Sequence, residues 1–543
     1  MHAVIFNDNL EIKRRTMGAY KIANCLESLG WRATVVDWVS SWQESELIEY
    51  LDAVVQDDTR MFGISYTWLK PEYASDLIAQ LKHRYPGIKI LVGGQQFIQH
   101  DLGADLYMYG YAEVALTHVI DYWFNNGERP KGMRPIELGG AQLIDCNADY
   151  RAMDMGDYGV TYREDDYLQS CEQLTVELSR GCRFACKYCN YAFLGIKQDT
   201  STAKDLLRAE LLRNWERWGT TNYIIADDTL NDRDSKLEML AEVVESLPFE
   251  PNFASFIRLD LTVSKPHQLE LLSRARVWAH FYGVETLHAG AGKAVGKGMA
   301  PERIKQGLLD MRSHMLSKLG VYRGSLGMIA GLPGEPPESW QASEQWLLDN
   351  WIDQNWTWWP LEISTEENLA TVSEFSRDWA KNGYSQMTDQ SRINYVKDVF
   401  LRQKEHIQHK YDHKTLYWQH STADLKDAVE FVQKHRSHHA KLDWPNKIPN
   451  FHILNYWDKI KWQDLKEKTD EWSNQQVRDG AEYIRIIRPY IDSKLQGIRV
   501  AQNIIRGRFG YERIKKLSEN SAYADISRKP VTIQGLDRPN FLQ

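Results

Sequence analysis

The chain has 543 residues, 43% hydrophobic and 26% charged, with a formal net charge of -8. That length predicts two to four domains, the composition is that of a globular protein, and the balance excludes a globally basic nucleic-acid surface. The opening MHAVIFNDNLEIKRR is too short in its apolar run for a signal peptide and no stretch has the length of a membrane helix, so the expected location is the cytoplasm.

Residues 1–125 alternate strand-like and helix-like segments. Ala3–Asn7, Ala33–Asp37, Met61–Tyr66, Ile88–Val92 and Asp105–Tyr109 read as strands, and Gly18–Gly30, Glu44–Val55 and Glu72–Tyr85 as helices. This alternation predicts a doubly wound, flavodoxin-like parallel sheet, whose ligands sit beyond the carboxyl ends of the strands. Gly93-Gly94 and Gly110 fall there. Residues 126–172, with Pro130, Pro135 and an acidic run from Asp154 to Asp166, read as a linker.

From 173 to 365 the alternation restarts. Thr175–Ser179, Tyr223–Asp227, Phe253–Asp260, Ala279–Glu285, Tyr322–Ala330 and Thr357–Ser364 are expected strands, separated by helical stretches such as Ala203–Trp218, Ser235–Ser246, Glu302–Ser317 and Glu338–Asn350. Six β/α units predict a partial barrel with its chemistry at the C-terminal ends of the strands. Residues 366–520 read as a mainly helical C-terminal domain and 521–543 as a polar tail.

Other features have bland readings beside sharper ones. Tryptophans crowd between Trp340 and Trp359, as an aromatic core or as a stacking wall. His406, His409 and His413 share a helical face, as solvated surface or as a metal site lacking a familiar ligand set. Nine Lys/Arg against two Asp/Glu in 484–516 make a solvated face or a contact for RNA.

Three of the six cysteines lie within eight residues, in Glu177-Leu-Ser-Arg-Gly-Cys182-Arg-Phe-Ala-Cys186-Lys-Tyr-Cys189. Such a C-x3-C-x2-C loop can fold three thiolates round one side of a [4Fe–4S] cubane and leave one iron open. The spacing alone also admits zinc, which wants a fourth ligand such as the remote His288, or a redox dithiol, which leaves Cys182 unexplained. A metal or iron–sulfur module, RNA-associated through the basic C-terminal stretch, is the alternative function.

The segment resembles the radical S-adenosylmethionine (SAM) superfamily, whose signature is this spacing with an aromatic, here Tyr188, before the last cysteine. The likeness extends over about residues 1–365, through Asp227-Asp228, Gly283-Val284-Glu285, Lys297-Gly298 and Gly331-Leu332-Pro333-Gly334-Glu335, and is greatest to the branch with an N-terminal cobalamin-binding-type domain. It implies that Cys182, Cys186 and Cys189 hold the cluster and that the open iron chelates SAM. One electron, from a donor such as flavodoxin or ferredoxin, would then yield methionine and a 5′-deoxyadenosyl radical, which abstracts a hydrogen from the substrate. Tyr188, Arg258, Glu285 and Gly331 are the candidate SAM contacts. For Arg258 and Glu285 the rival is a structural ion pair, and for Gly331 a tight turn. Of Asp227 and Asp228 one should face the barrel interior and one away, with Asp228 the candidate catalytic carboxylate.

Gly93, Gly94 and Gly110 resemble the branch's cobalamin-binding loops. The histidine that ligates cobalt in other cobalamin domains has no counterpart in Asn7-Asp8-Asn9-Leu10-Glu11. A cobalamin site, which would make methyl transfer the leading reaction, and a domain that only supports the barrel both remain open. Cys25, Cys146 and Cys171 are isolated, so no auxiliary cluster is expected.

Overall fold

The structure is a computed structural model and describes residues 1–441, apart from 9–13, 38, 42–43, 68, 95–100, 137–140, 151–158, 164–165, 167, 169–172, 191–199, 352–353, 366–372 and 405–414. The histidine face at 406–413, Cys171, the basic stretch 484–516 and the tail lie outside the described residues.

The first unit runs β1 (His2–Phe6), β2 (Arg14–Arg15), α1 (Gly18–Ser28), β3 (Arg32–Val36), α2 (Glu44–Val54), β4 (Thr59–Ser65), α3 (Pro71–Arg84), β5 (Lys89–Gly94), β6 (Leu106–Tyr109) and α4 (Glu113–Phe124). The segment expected as a linker then adds β7 (Arg134–Pro135), β8 (Gln142–Asp145) and the single turn α5 (Cys146–Asp149). The sheet order is β3-β1-β4-β5-β6-β8-β7, so its parallel strands carry the 2-1-3-4-5 order of flavodoxin-like sheets. All five residues of β1 are buried, as a central strand covered on both faces requires. Ala19, Ala23 and Leu26 of α1 pack on one face with Ala3 and Ile5; Leu77, Ile78 and Leu81 of α3 pack on the other with Val4 and Phe6.

The 126–172 segment is thus partly sheet. Tyr107 pairs with Leu143 in the β6–β8 ladder, although Pro130, Pro135 and the glycines hide the short strand in the sequence. β2 leaves the first unit altogether and pairs with the edge of the second sheet, Arg15 opposite Leu174.

That second sheet follows through β9 (Gln173–Val176), β10 (Ser179–Arg180), β11 (Thr200–Ser201), α6 (Lys204–Trp218), β12 (Asn222–Ile225), α7 (Asp234–Glu245), β13 (Asn252–Ile257), α8 (Leu259–Ser264), α9 (His267–Arg274), β14 (Val277–Glu285), α10 (Ala289–Ala294), α11 (Pro301–Leu319), β15 (Arg323–Ala330), α12 (Pro337–Asn350) and β16 (Asn355–Pro360). Its order β16-β15-β14-β13-β12-β9-β2 is sequential, and all six main strands are parallel. The six β/α units therefore form a partial barrel with an open side.

Beyond it lie α13 (Glu374–Asp378), β17 (Ser385–Gln386), α14 (Gln390–Lys404), β18 (Trp418–Gln419) and α15 (Leu425–Lys441). Helix α15 covers β16, and its Phe431 meets Trp358 edge-on at 4.9 Å. Trp340, Trp351, Trp356 and Trp358 are wholly buried, and Glu344 accepts the indole N–H of both Trp356 and Trp358 at 2.8 Å. Those four tryptophans are core, the first of the two readings. Among the described residues no helix is long and apolar enough to cross a membrane.

Candidate active site

The cysteine loop starts where β9 ends. Strand β10 pairs antiparallel with β11, Arg180 opposite Thr200, which ties together the two ends of the segment between them. Gly181 turns the chain at φ +97°, a left-handed conformation that glycine adopts without strain. Cys182, Cys186 and Cys189 form no disulfide and are half-buried, and the Cys189 amide donates to the Cys186 carbonyl at 3.0 Å. Among the described residues no three His, Cys, Asp or Glu side chains converge where one metal ion would sit. Nor is His288 a spare ligand, because it caps α10, its Nδ1 accepting from the Ala291 amide at 3.2 Å. The donor set therefore does not fit a single tetrahedral zinc. Three thiols spread along one loop do fit a cubane, whose thiolates bind separate irons.

Around the loop, Tyr188 donates to Glu285 Oε1 at 2.7 Å, and Lys297 Nζ donates to the same oxygen at 2.9 Å. Glu285 ends β14 in the left-handed region, φ +68°, a strained conformation for a non-glycine residue. Lys297 also donates to the Gly283 carbonyl. Burial raises the Tyr188 phenol well above its usual range, and the Glu285 charge adds to this. Arg258, at the end of β13, makes a fork-to-fork pair with Asp260, at 3.0 and 2.6 Å. The two residues expected to share one ligand thus sit in separate ion pairs, Glu285–Lys297 and Arg258–Asp260. Gly331 has φ +105° and lies under Trp418, whose ring would stand 2.4 Å from an added Cβ.

The acidic pair follows the end of β12, beyond the strand itself, and its two members have different surroundings. Asp227 turns inward to the chain: it accepts from the Leu178 and Ser179 amides at 2.8 and 3.0 Å, from Ser179 Oγ at 2.6 Å and from Lys236 Nζ at 3.1 Å. Burial raises its carboxyl, and Lys236 with the Ser179 donors opposes the rise. Asp228 instead faces a cavity of about 330 Å³ between the two sheets.

Gly93, Gly94 and Gly110 line that cavity from the carboxyl ends of β5 and β6, together with Gly63 and Ser65 of β4; Thr175, Glu177, Asp228 and Phe256 line it from the barrel. Its wall carries a charge chain that sequence reading did not single out. Lys21 of α1 donates to Glu177. Arg180 donates to Glu177 at 2.8 and 3.1 Å and to Glu113, the first residue of α4, at 3.0 and 2.5 Å. The Arg180 guanidinium also lies 4.2 Å from the Tyr111 ring centroid. Each of the four charged side chains is at most 8% exposed. Burial would raise the Glu177 carboxyl, but Lys21 and Arg180 outweigh it and hold it below its usual range. Arg180 and Glu177 stand inside the segment that carries the cysteines, and Glu113 closes the Gly110-Tyr111-Ala112-Glu113 loop; Lys21 had no motif to mark it.

Residues 176–347 match the model of the radical SAM superfamily. That matched segment holds the three-cysteine loop and most of the partial barrel. Its fold is similar to the radical S-adenosylmethionine methyltransferase TsrM from Kitasatospora setae with cobalamin and a [4Fe–4S] cluster bound: 11% identity over 87% of this chain and 99% of that one, TM-score 0.58. TsrM with tryptophan substrate and the SAM analogue aza-SAM gives 13% identity, 72% and 79% coverage and TM-score 0.54. The cobalamin-dependent radical enzyme OxsB with aqua-cobalamin gives 12%, 95%, 76% and 0.50. The likeness to these structures is one of fold. No curated protein matches the sequence.

Proposed function

We propose that this enzyme binds a [4Fe–4S] cluster through Cys182, Cys186 and Cys189, cleaves SAM reductively, and uses cobalamin in the inter-sheet cavity to methylate a substrate carbon. The observation that carries the reading is the cavity itself. Glycines from the ends of β5 and β6 face Asp228 and Phe256 of the barrel across about 330 Å³, and the wall residue Arg180 adjoins the cysteine loop. When bound, the cluster supplies the electron for SAM cleavage and the cobalamin carries the methyl group.

The chain's own residues supply placement and exclusion. Gly93 and Gly94 let a flat macrocycle approach the backbone. The chain Lys21–Glu177–Arg180–Glu113 gives that wall two positive and two negative charges in sum. Glu285, held by Tyr188 and Lys297, presents its carboxylate edge beside the cysteine loop, where the ammonium of SAM is the complementary group. Asp228 is the carboxylate facing the cavity, placed to hold a substrate proton or a polar group. A small flavodoxin- or ferredoxin-type protein fits as electron donor.

The test is anaerobic reconstitution with iron, sulfide and hydroxocobalamin, followed by SAM carrying a labelled methyl group. Four irons and one cobalamin per chain, with 5′-deoxyadenosine or S-adenosylhomocysteine formed and both lost in Cys186→Ala, are expected. A protein that binds metal but never turns over SAM would overturn the reading and leave a metal-binding module.

A further inference from the structure

We propose that Arg180 is a positioning residue that transmits occupancy of the inter-sheet cavity to the cysteine loop, and this rests on the reading of that cavity as the cobalamin site.

The argument begins with the cost of the charge chain. Four ionisable side chains, none more than 8% exposed, come from four elements: Lys21 from α1, Glu113 from the start of α4, Glu177 from the end of β9 and Arg180 from β10. Buried ion pairs recover little net stability against well-packed apolar residues, but removing one member is strongly destabilising. What the arrangement supplies is register. Two members belong to the first sheet's helices and two to the barrel, so the chain clasps the units across the cavity that both line.

Arg180 holds the middle of the clasp. Its guanidinium is used on every side: the Glu113 carboxylate, the Glu177 carboxylate and the Tyr111 ring face. A planar fork with five donors suits this, where a lysine would not. Its backbone is equally constrained. Ser179, one residue before, is fixed by Asp227, which Lys236 backs, and Arg180 itself pairs with Thr200. Only Gly181 separates it from Cys182. None of residues 182–190 lines the cavity. A ligand that presses on Tyr111, Glu113 and Arg180 therefore reaches the cysteines through one side chain and one glycine. Coupling between the two sites is then a differential free energy carried by that contact.

The test is hydrogen exchange on the cluster-loaded full chain, anaerobically, with and without hydroxocobalamin. In the parent protein, exchange should slow both in 108–116, on the cavity wall, and in 182–190, off it. The variant Arg180→Gln/Glu113→Gln removes one charge of each sign and leaves Lys21–Glu177 paired. In it, 108–116 should still respond to hydroxocobalamin while the response of 182–190 is lost. Should the double variant fail to fold, Glu113→Gln alone is read the same way, and Arg180→Lys should keep only part of the response. A purely structural role would raise exchange in 182–190 with and without hydroxocobalamin and leave the response intact, which overturns the proposal. So does a parent protein in which 108–116 responds and 182–190 does not. If hydroxocobalamin does not bind at all and neither segment responds, the cavity reading fails, and the coupling with it.

Discussion

Arg258 points Nη1 at the Sγ of Cys186, 3.7 Å away. Its guanidinium lies 3.8 Å from the centroid of the Phe184 ring, also in the cysteine loop. Asp260 accepts from Nε and Nη2, so the residue expected to reach for a carboxylate of SAM holds an ion pair beside the loop. A donor aimed at a ligating sulfur stabilises the more negative, reduced cluster. Arg258→Gln should therefore lower the cluster's midpoint potential with iron content retained. Residues in such outer positions typically cost about 10–100-fold in activity or metal affinity. Potentiometric titration followed by EPR reads the shift, and an unchanged potential would show that the sulfur contact is incidental.

The neighbouring glycines of β5 should behave oppositely. At Gly94, φ is +151° and an added Cβ would stand 2.9 Å from the Tyr66 carbonyl oxygen. Gly94→Ala should destabilise by roughly 1–3 kcal/mol through crowding against backbone that cannot move aside. At Gly93 the nearest atoms to an added Cβ are Met108 O at 3.6 Å and Leu91 Cδ2 at 3.9 Å, ordinary contacts, with the cavity beyond. Gly93→Leu should fold normally, load iron and fail to retain hydroxocobalamin after desalting. Retention by Gly93→Leu would place the cobalamin elsewhere.

The contrast between those two glycines also shows what the sequence could carry. Element order was legible for the main strands of the two sheets, β2 and β8 apart, because most are short apolar runs followed by a helix of clear period. The expected Ala279–Glu285 is the observed Val277–Glu285, and Glu338–Asn350 is Pro337–Asn350. The cysteines were legible because their spacing is itself chemistry. Partnerships were not. Nothing local says that Arg258 closes on Asp260 two residues away, that Glu285 takes Lys297, or that Arg14–Arg15 joins the edge of the other sheet beside Gln173 and Leu174. Glu113 is one acidic residue at a helix start, a common stabilising placement. Its role as the counterion of Arg180, 67 residues away, exists only once the two sheets face each other. Asp227 and Asp228 lie past the end of β12 at Ile225, so the alternation expected to separate them does not extend that far.

Gly331 should prove a packing residue. It has φ +105°, its carbonyl accepts from Tyr384 Oη at 2.8 Å, and the Trp418 ring fills the space where its side chain would be. Trp418 cannot retreat freely, because its indole N–H donates to the Leu361 carbonyl at 2.8 Å and the residue is wholly buried. Gly331→Ala combines backbone strain of ~1–3 kcal/mol with overpacking of similar size. Thermal unfolding should show a clear loss of stability. Adding Trp418→Leu should recover part of it, a non-additivity expected of residues in contact. If Gly331→Ala is as stable as the parent yet binds SAM poorly, Gly331 belongs to the SAM site instead.

Glu335 gives the fold a pH dependence with a definite sign. It is wholly buried at the end of the Gly-Leu-Pro-Gly-Glu segment. Oε1 accepts from Thr286 Oγ1 at 2.7 Å and Ser339 Oγ at 3.1 Å, while no described residue donates to Oε2. Burial pushes the carboxyl up to about 7, against an ordinary 4.5, with Thr286, Ser339 and Trp340 pulling the other way. The folded state therefore holds the proton more tightly than the unfolded state. The resulting stability is fully present below pH 4.5 and is lost as pH rises through about 7. At ~1.4 kcal/mol per pH unit between those two values, the loss is at most about 3.5 kcal/mol. Glu210, buried and raised to about 7 chiefly by desolvation, acts in the same direction. Glu335→Gln, which stays neutral at every pH, should unfold at a higher denaturant concentration than the parent at pH 8 and at nearly the same one at pH 5. The remaining slope between those pH values should flatten further in Glu335→Gln/Glu210→Gln. If Glu335→Gln leaves the difference between pH 5 and pH 8 unchanged, Glu335 is ionised in the folded protein, with the buried Trp340 indole N–H as the donor to Oε2.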